Sequence, residues 1–128
     1  DACERIVKAM TKYPELIGGT KDRLDTEIMR AAPGAIVSKV GAEGVYTAGI
    51  LPCEDWPQGA GLALKIEDGD DRRARPTVVI ESLRQLGALS DKALDHVSRY
   101  AFFPVHNRRG DLVGEIRASF NLRTPTTE

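Results

Sequence analysis

Apolar side chains recur at helical spacing in Cys3, Ile6, Val7 and Met10, which predicts an amphipathic helix from Cys3 to Lys12 that Pro14 ends. Cys3 is expected to pack within that helix. Gly18-Gly19-Thr20 then reads as a flexible turn that exposes backbone N–H groups. A second helix is expected from about Asp22 to Ala32, burying Leu24, Ile28 and Met29, with Pro33-Gly34 as its stop.

The period then shortens to two. Ala35 to Lys39 and Gly44 to Leu51 are apolar and β-branched, and Val40-Gly41-Ala42-Glu43 joins them, so they read as strands in or near a hairpin. Pro52 to Ala60, with the single Trp56, is a loop. Gly61 to Glu67 alternates as a strand, with Leu62, Leu64 and Ile66 on one face. Asp68-Gly69-Asp70-Asp71 is a turn that leads into a helix from Pro76 to Leu86, with Gly87 placed for its C-terminal cap. A shorter helix near Asp91 to Arg99, a turn at Asn107 to Asp111 and a last strand from Leu112 to Phe120 complete the order, and the tail from Thr124 to Glu128 is expected to fray. This is an α+β layout, an antiparallel sheet covered by helices on at least one face.

A length of 128 residues fits one domain, residues 1–128. With aromatics at 5%, the core must rest on Val, Ile, Leu and Ala. The net charge of -1 gives no field to attract nucleic acid or an anionic membrane. The basic runs Arg72-Arg73-Ala74-Arg75 and Arg108-Arg109 sit beside acidic residues and read as solvated loops. Cys3 and Cys53 form no C-x-x-C pair, so they indicate neither a disulfide framework nor a cysteine-based zinc site. No apolar run reaches membrane-spanning length and no signal peptide is evident, so reduced thiols in a cytoplasmic protein are expected. A chain that starts at Asp1 is what a processed or excised piece would show.

The chemistry-bearing segment is Ser38-Lys39-Val40-Gly41-Ala42-Glu43-Gly44. A strand lysine facing a cleft supplies fixed positive charge for a carboxylate or for developing negative charge. A glycine two positions on shares its face and lets substrate approach the backbone, and the Ala42 N–H can then point at a carbonyl oxygen. The same residues also describe an ordinary hairpin with a solvated lysine.

Lys39-Val40-Gly41 resembles the Lys-x-Gly element of the penicillin-recognising serine hydrolases. The order of Pro33-Gly34, Lys39-Val40-Gly41, Gly44, the Gly61–Ile66 strand and Asp68-Gly69-Asp70 is similar to that of the serine-dependent glutaminases. A more specific resemblance is to the bacterial asparaginase II family, the thermolabile, rhizobial-type enzymes on that fold. It is carried by Tyr13-Pro14-Glu15-Leu16-Ile17-Gly18-Gly19-Thr20, Asp25-Thr26, Lys39 to Tyr46, Leu62 to Asp70, Asn107-Arg108-Arg109-Gly110 and Gly114-Glu115-Ile116-Arg117. The similarity runs over about residues 3 to 120.

The resemblance implies part of a β-lactamase/serine-glutaminase-like fold and hydrolysis of an amide through a serine acyl-enzyme. The serine of that family lies in a Ser-x-x-Lys element near the start of the protein. Ser38, Ser82, Ser90, Ser98 and Ser119 all lack a lysine three residues on. The cysteine- and lysine-containing segments that bind zinc in the family have no counterpart here. Nucleophile, base and any zinc of the intact enzyme would therefore reside on an N-terminal half, and this chain alone would be inactive.

On this resemblance Lys39 stabilises charge in the site or holds the substrate carboxylate, Gly41 admits the substrate and the Ala42 N–H is one of two oxyanion-hole donors. Glu43 meets the substrate ammonium group or solvates its turn, and Thr20, Arg23 and Asp25 line the opposite rim or serve as surface and capping residues. Lys65 and Asp68 have the plainer roles of a solvated lysine and a turn residue. His96 and His106 have no carboxylate or cysteine at ligand spacing in the sequence. The partners expected are a small amino-acid substrate, the N-terminal half and a second copy of the chain. A glutaminase, a penicillin-type acyl hydrolase and a non-catalytic amino-acid- or protein-binding domain are the alternatives.

Overall fold

The computed structural model describes residues 1–123, so the expected fraying of Thr124 to Glu128 lies outside the described residues. The elements follow in the order α1 (Ala2–Lys12), α2 (Glu15–Gly18), α3 (Leu24–Ala31), β1 (Ile36–Val40), β2 (Val45–Ile50), β3 (Ala60–Lys65), α4 (Arg75–Gln85), α5 (Asp91–Val97), a 3₁₀ turn at Ser98–Tyr100, β4 (Phe102–His106) and β5 (Leu112–Arg117). The α+β class and the antiparallel pairing are as the sequence implies.

Strands β1, β2 and β3 form one antiparallel sheet with β2 in the centre. Its register pairs Ile36 with Ile50, Ser38 with Ala48 and Val40 with Tyr46, and pairs Tyr46 with Leu64 and Ala48 with Leu62. Because side chains alternate across a strand, these residues share one face. That face meets Leu24 and Ile28 of α3, Val79, Ile80 and Leu83 of α4, and Ala93 and Val97 of α5 in one core. Burial of each large aliphatic side chain contributes about 1.5–3 kcal/mol, and the core contains no Phe or Trp.

Helix ends are built from local chemistry. At α1, Asp1 accepts the Glu4 N–H at 2.8 Å while the Glu4 carboxylate reaches back to Asp1, a capping box. After α4, Gly87 takes φ 65°, and the Ala88 and Gly87 N–H groups donate to the Leu83 and Arg84 carbonyls, both at 3.0 Å. That is a Schellman motif, the cap expected of this glycine. The Trp56 indole N–H donates to the Leu86 carbonyl at 3.2 Å and ties the 52–59 loop to the same helix end.

Four expectations are corrected. No residue of α1 is fully buried, Cys3 is exposed and Ile6 remains 59% exposed, so its apolar face is only partly covered, with Val7 and Met10 half-buried. The Gly18-Gly19 turn does not present free N–H groups, because it closes α2: these two N–H groups donate to the Pro14 and Glu15 carbonyls. The last strand ends at Arg117 rather than Phe120, and it pairs with β4, a strand that the pattern did not predict. The β4–β5 ribbon stands as a separate two-stranded sheet, with Leu112 and Val113 exposed. His96, which has no carboxylate at ligand spacing in the sequence, gains one in space: its Nε2 lies 3.0 Å from the Glu27 carboxylate on α3.

Candidate functional site

A cavity of about 930 Å³ opens where the start of α3, the end of β1 and the start of α4 meet. Lys21, Arg23, Arg72, Arg75 and Arg99 line it against Asp22, Asp25 and Asp71, with Gly41, Ala42, Tyr100 and Phe103 completing the wall. The cationic side chains outnumber the acidic ones, which suits a ligand with a carboxylate.

Four of the residues singled out in the sequence meet here: Arg23, Asp25, Gly41 and Ala42. Asp25 is buried rather than a surface or cap residue, at 2% exposure. Its Oδ2 accepts the Val40 N–H at 3.0 Å and lies 3.9 Å from Lys39 Nζ. Lys39 pairs with Thr47 across the sheet, on the face away from the core, and its ammonium donates to the Val40 carbonyl at 2.9 Å. It is not among the residues that line the cavity, and its one ion pair with the lining is to Asp25.

The strand ends at a turn with fixed hydrogen bonds. The Gly41 N–H donates to the Val45 carbonyl at 2.9 Å, and the Val45 N–H returns to the Ala42 carbonyl at 3.2 Å. Among the described residues no group accepts the Ala42 N–H, and Ala42 is an exposed residue of the cavity lining. Glu43 takes φ 56° at the turn apex and is exposed, outside the cavity lining. Thr20 is likewise exposed and outside the lining, whereas Arg23 is drawn in by its Nε donating to the Gly18 carbonyl.

Behind the turn is a polar cluster that sequence reading missed. Tyr46 is fully buried under Ser38, and burial pushes its phenol well above the ordinary tyrosine value, with the neighbouring Asp25 charge adding to the rise. Tyr100 closes the other side; burial also raises its phenol, opposed by the Arg99 guanidinium stacked 4.7 Å from its ring centroid. Arg99 donates to Asp22 at 3.0 Å and to the Tyr100 hydroxyl at 2.8 Å. The only sequence signal for this wall is the basic run 72–75, which does not form one solvated loop: Arg73 pairs with Asp68, while Arg75 turns inward with 12% of its side chain exposed. Lys65 and Asp68 have the plain roles expected. The lysine is exposed and donates to the Ile66 carbonyl, and the aspartate accepts the Asp70 N–H of its turn at 3.0 Å.

The L-asparaginase II family model matches residues 1–118. The chain belongs to the L-asparaginase II family. No curated protein sequence matches it. Membership makes the chain asparaginase-type, with an amino acid as the substrate class. The residues present do not fit the zinc that resemblance allows in the intact enzyme. Among the described residues no three His, Cys, Asp or Glu side chains gather as metal ligands, and Cys3 and Cys53 are exposed single thiols. No helix among them is long and apolar enough to cross a membrane.

Proposed function

We propose that this chain forms one wall of an L-asparaginase active site of the rhizobial, thermolabile type, working through a serine acyl-enzyme in the cytoplasm. The observation that carries the reading is the Ala42 N–H, without an acceptor among the described residues, on an exposed residue of a cation-lined cavity, one residue after Lys39-Val40-Gly41. The serine and its lysine base lie on an N-terminal segment that completes the site.

The serine hydroxyl attacks the side-chain amide of asparagine, and its proton passes to the base and then to the leaving ammonia. Oxygen charge that develops on the carbonyl is met by the Ala42 N–H, the role of an oxyanion-hole donor. Water then splits the ester and releases aspartate. Arg23 faces the substrate carboxylate from the α3 side. Lys39, paired with the lining residue Asp25, adds positive potential from outside the lining. Glu43 and Thr20, both exposed near the rim, reach substrate only after the missing wall is added; Glu43 then meets its ammonium group. Zinc enters no step on this chain.

The test is turnover by the full chain that the gene encodes. Lys39→Ala is expected to cut asparagine hydrolysis about 100-fold or more while the fold persists. Unchanged turnover removes Lys39 from the site. Residues 1–128 alone are expected to be inactive, and the sequence upstream is expected to carry Ser-x-x-Lys in frame. Comparing glutamine and a β-lactam with asparagine separates this reading from a glutaminase or a penicillin-type acyl hydrolase.

A further inference from the structure

The Gly41–Gly44 turn is gripped from the approach to α4. Arg75 Nη1 donates to the Gly41 carbonyl at 3.3 Å, and Asp71 Oδ1 accepts the Gly44 N–H at 2.9 Å. The two side chains, four residues apart, also pair with each other through the same Oδ1. Only Ala42 and Glu43 lie between the two anchored backbone groups.

The Gly41 carbonyl and the Ala42 N–H belong to one planar trans peptide, so fixing the direction of one fixes the other. A guanidinium on that carbonyl also polarises the peptide and makes its N–H a better donor, the more so because Arg75 is largely out of water. Arg75 adopts this pose although its Nε is buried with no acceptor among the described residues. The side chain is thus placed to reach Gly41 and Asp71, not to satisfy all its own donors.

We propose that Asp71 and Arg75 are positioning residues for the reaction, orienting and polarising the Ala42 N–H through the Gly41 carbonyl. The inference rests on the asparaginase reading above, in which that N–H receives the developing oxyanion. It assigns to helix α4 a part in turnover that the Lys-x-Gly strand alone does not have.

The experiment uses the full chain with asparagine, and kcat is normalised to folded protein by circular dichroism. Arg75→Met keeps the apolar stem and removes the fork. It should lower kcat about 10- to 100-fold with KM within about twofold, the scale of a slightly misplaced catalytic group. Arg75→Lys should recover part of the loss. Asp71→Asn, which keeps an acceptor for Gly44, should give a smaller drop, and the double variant Asp71→Asn/Arg75→Met should be no slower than Arg75→Met. Amide hydrogen exchange at residues 41–45 should accelerate in Arg75→Met. If that exchange accelerates while kcat stays within about twofold of the parent, the pair is only structural and the proposal is overturned. A raised KM with unchanged kcat overturns it too, making Arg75 a substrate contact. Should Arg75→Met not fold, Arg75→Lys and Asp71→Asn decide, and parental kcat in both overturns the proposal. An unmodified protein without amide hydrolysis overturns the asparaginase reading itself and this inference with it, an outcome distinct from an active parent with indifferent variants.

Discussion

The buried Asp25 carboxylate on α3 and the half-buried Val40 N–H at the end of β1 are joined by a 3.0 Å hydrogen bond. The bond serves an N–H on the outer edge of β1, where no further strand pairs. Asp25→Ala would leave the Val40 N–H unpaired and should cost about 1–3 kcal/mol, read by urea unfolding. Asp25→Asn keeps an acceptor and should cost less. Both should lower turnover of the full chain, since Lys39 loses its counter-charge. Full stability in Asp25→Ala would show that the bond holds nothing.

Gly44 is at φ 76°, and a Cβ there would lie 2.9 Å from that of Ile66. Backbone sign and contact both oppose any other residue. Gly44→Ala should destabilise by about 1–3 kcal/mol and slow turnover with it. Gly61, with open space around it and no positive φ, is the control; Gly61→Ala should change unfolding far less.

Acid should weaken one feature of α4 in a defined window. Hydrogen bonds from Arg84, at 2.8 and 2.7 Å, hold the Glu81 carboxyl down at about 2, against an ordinary value of 4.5. A carboxyl whose pKa is lower when folded stabilises above its unfolded value and loses that contribution as pH falls through its folded one. The stability advantage of the parent over Glu81→Gln should therefore be full above pH 4.5 and vanish toward pH 2. Thermal unfolding of the two proteins across that range checks it; a constant difference would contradict the pairing.

The β4–β5 ribbon leaves Leu112 67% and Val113 60% exposed, with unpaired strand edges among the described residues. Residues 1–128 alone should therefore self-associate. Charge on the ribbon, as in Leu112→Lys with Val113→Lys, should reduce the association in light scattering. A parent that stays monomeric at all concentrations would end this expectation.

Sequence patterning located the elements that build the core and missed those whose place depends on distant partners. Alternation of Leu62 and Leu64, and the spacing of Val79 and Leu83, report burial directly, and these residues lie in or against the core. Strand β4 escaped because Pro104 interrupts it and most of its residues face solvent, so no alternation marks it. Helix α1 misled in the opposite direction, since amphipathic spacing says that a face is apolar and not how much of it is covered. The Lys-x-Gly element singled out Lys39, Gly41 and Ala42, of which Gly41 and Ala42 line the cavity and Lys39 does not. Asp71 and Arg75 were not, because side chains in a charged turn look solvated until the fold brings the 41–44 backbone against them. Asp25 was found as a candidate, but its burial was not foreseeable from a first-turn acidic residue, which ordinarily favours a helix N-terminus from the surface.

The anchors on the Gly41–Gly44 turn come from residues 27 and 34 positions later in the chain. During synthesis, then, the β1–β2 hairpin leaves the ribosome well before the groups that shape its tip. The contacts from Asp71 and Arg75 can form only once residue 75 has cleared the exit tunnel. A nascent chain stalled earlier holds the hairpin with its own Gly41–Val45 bonds but without these two anchors.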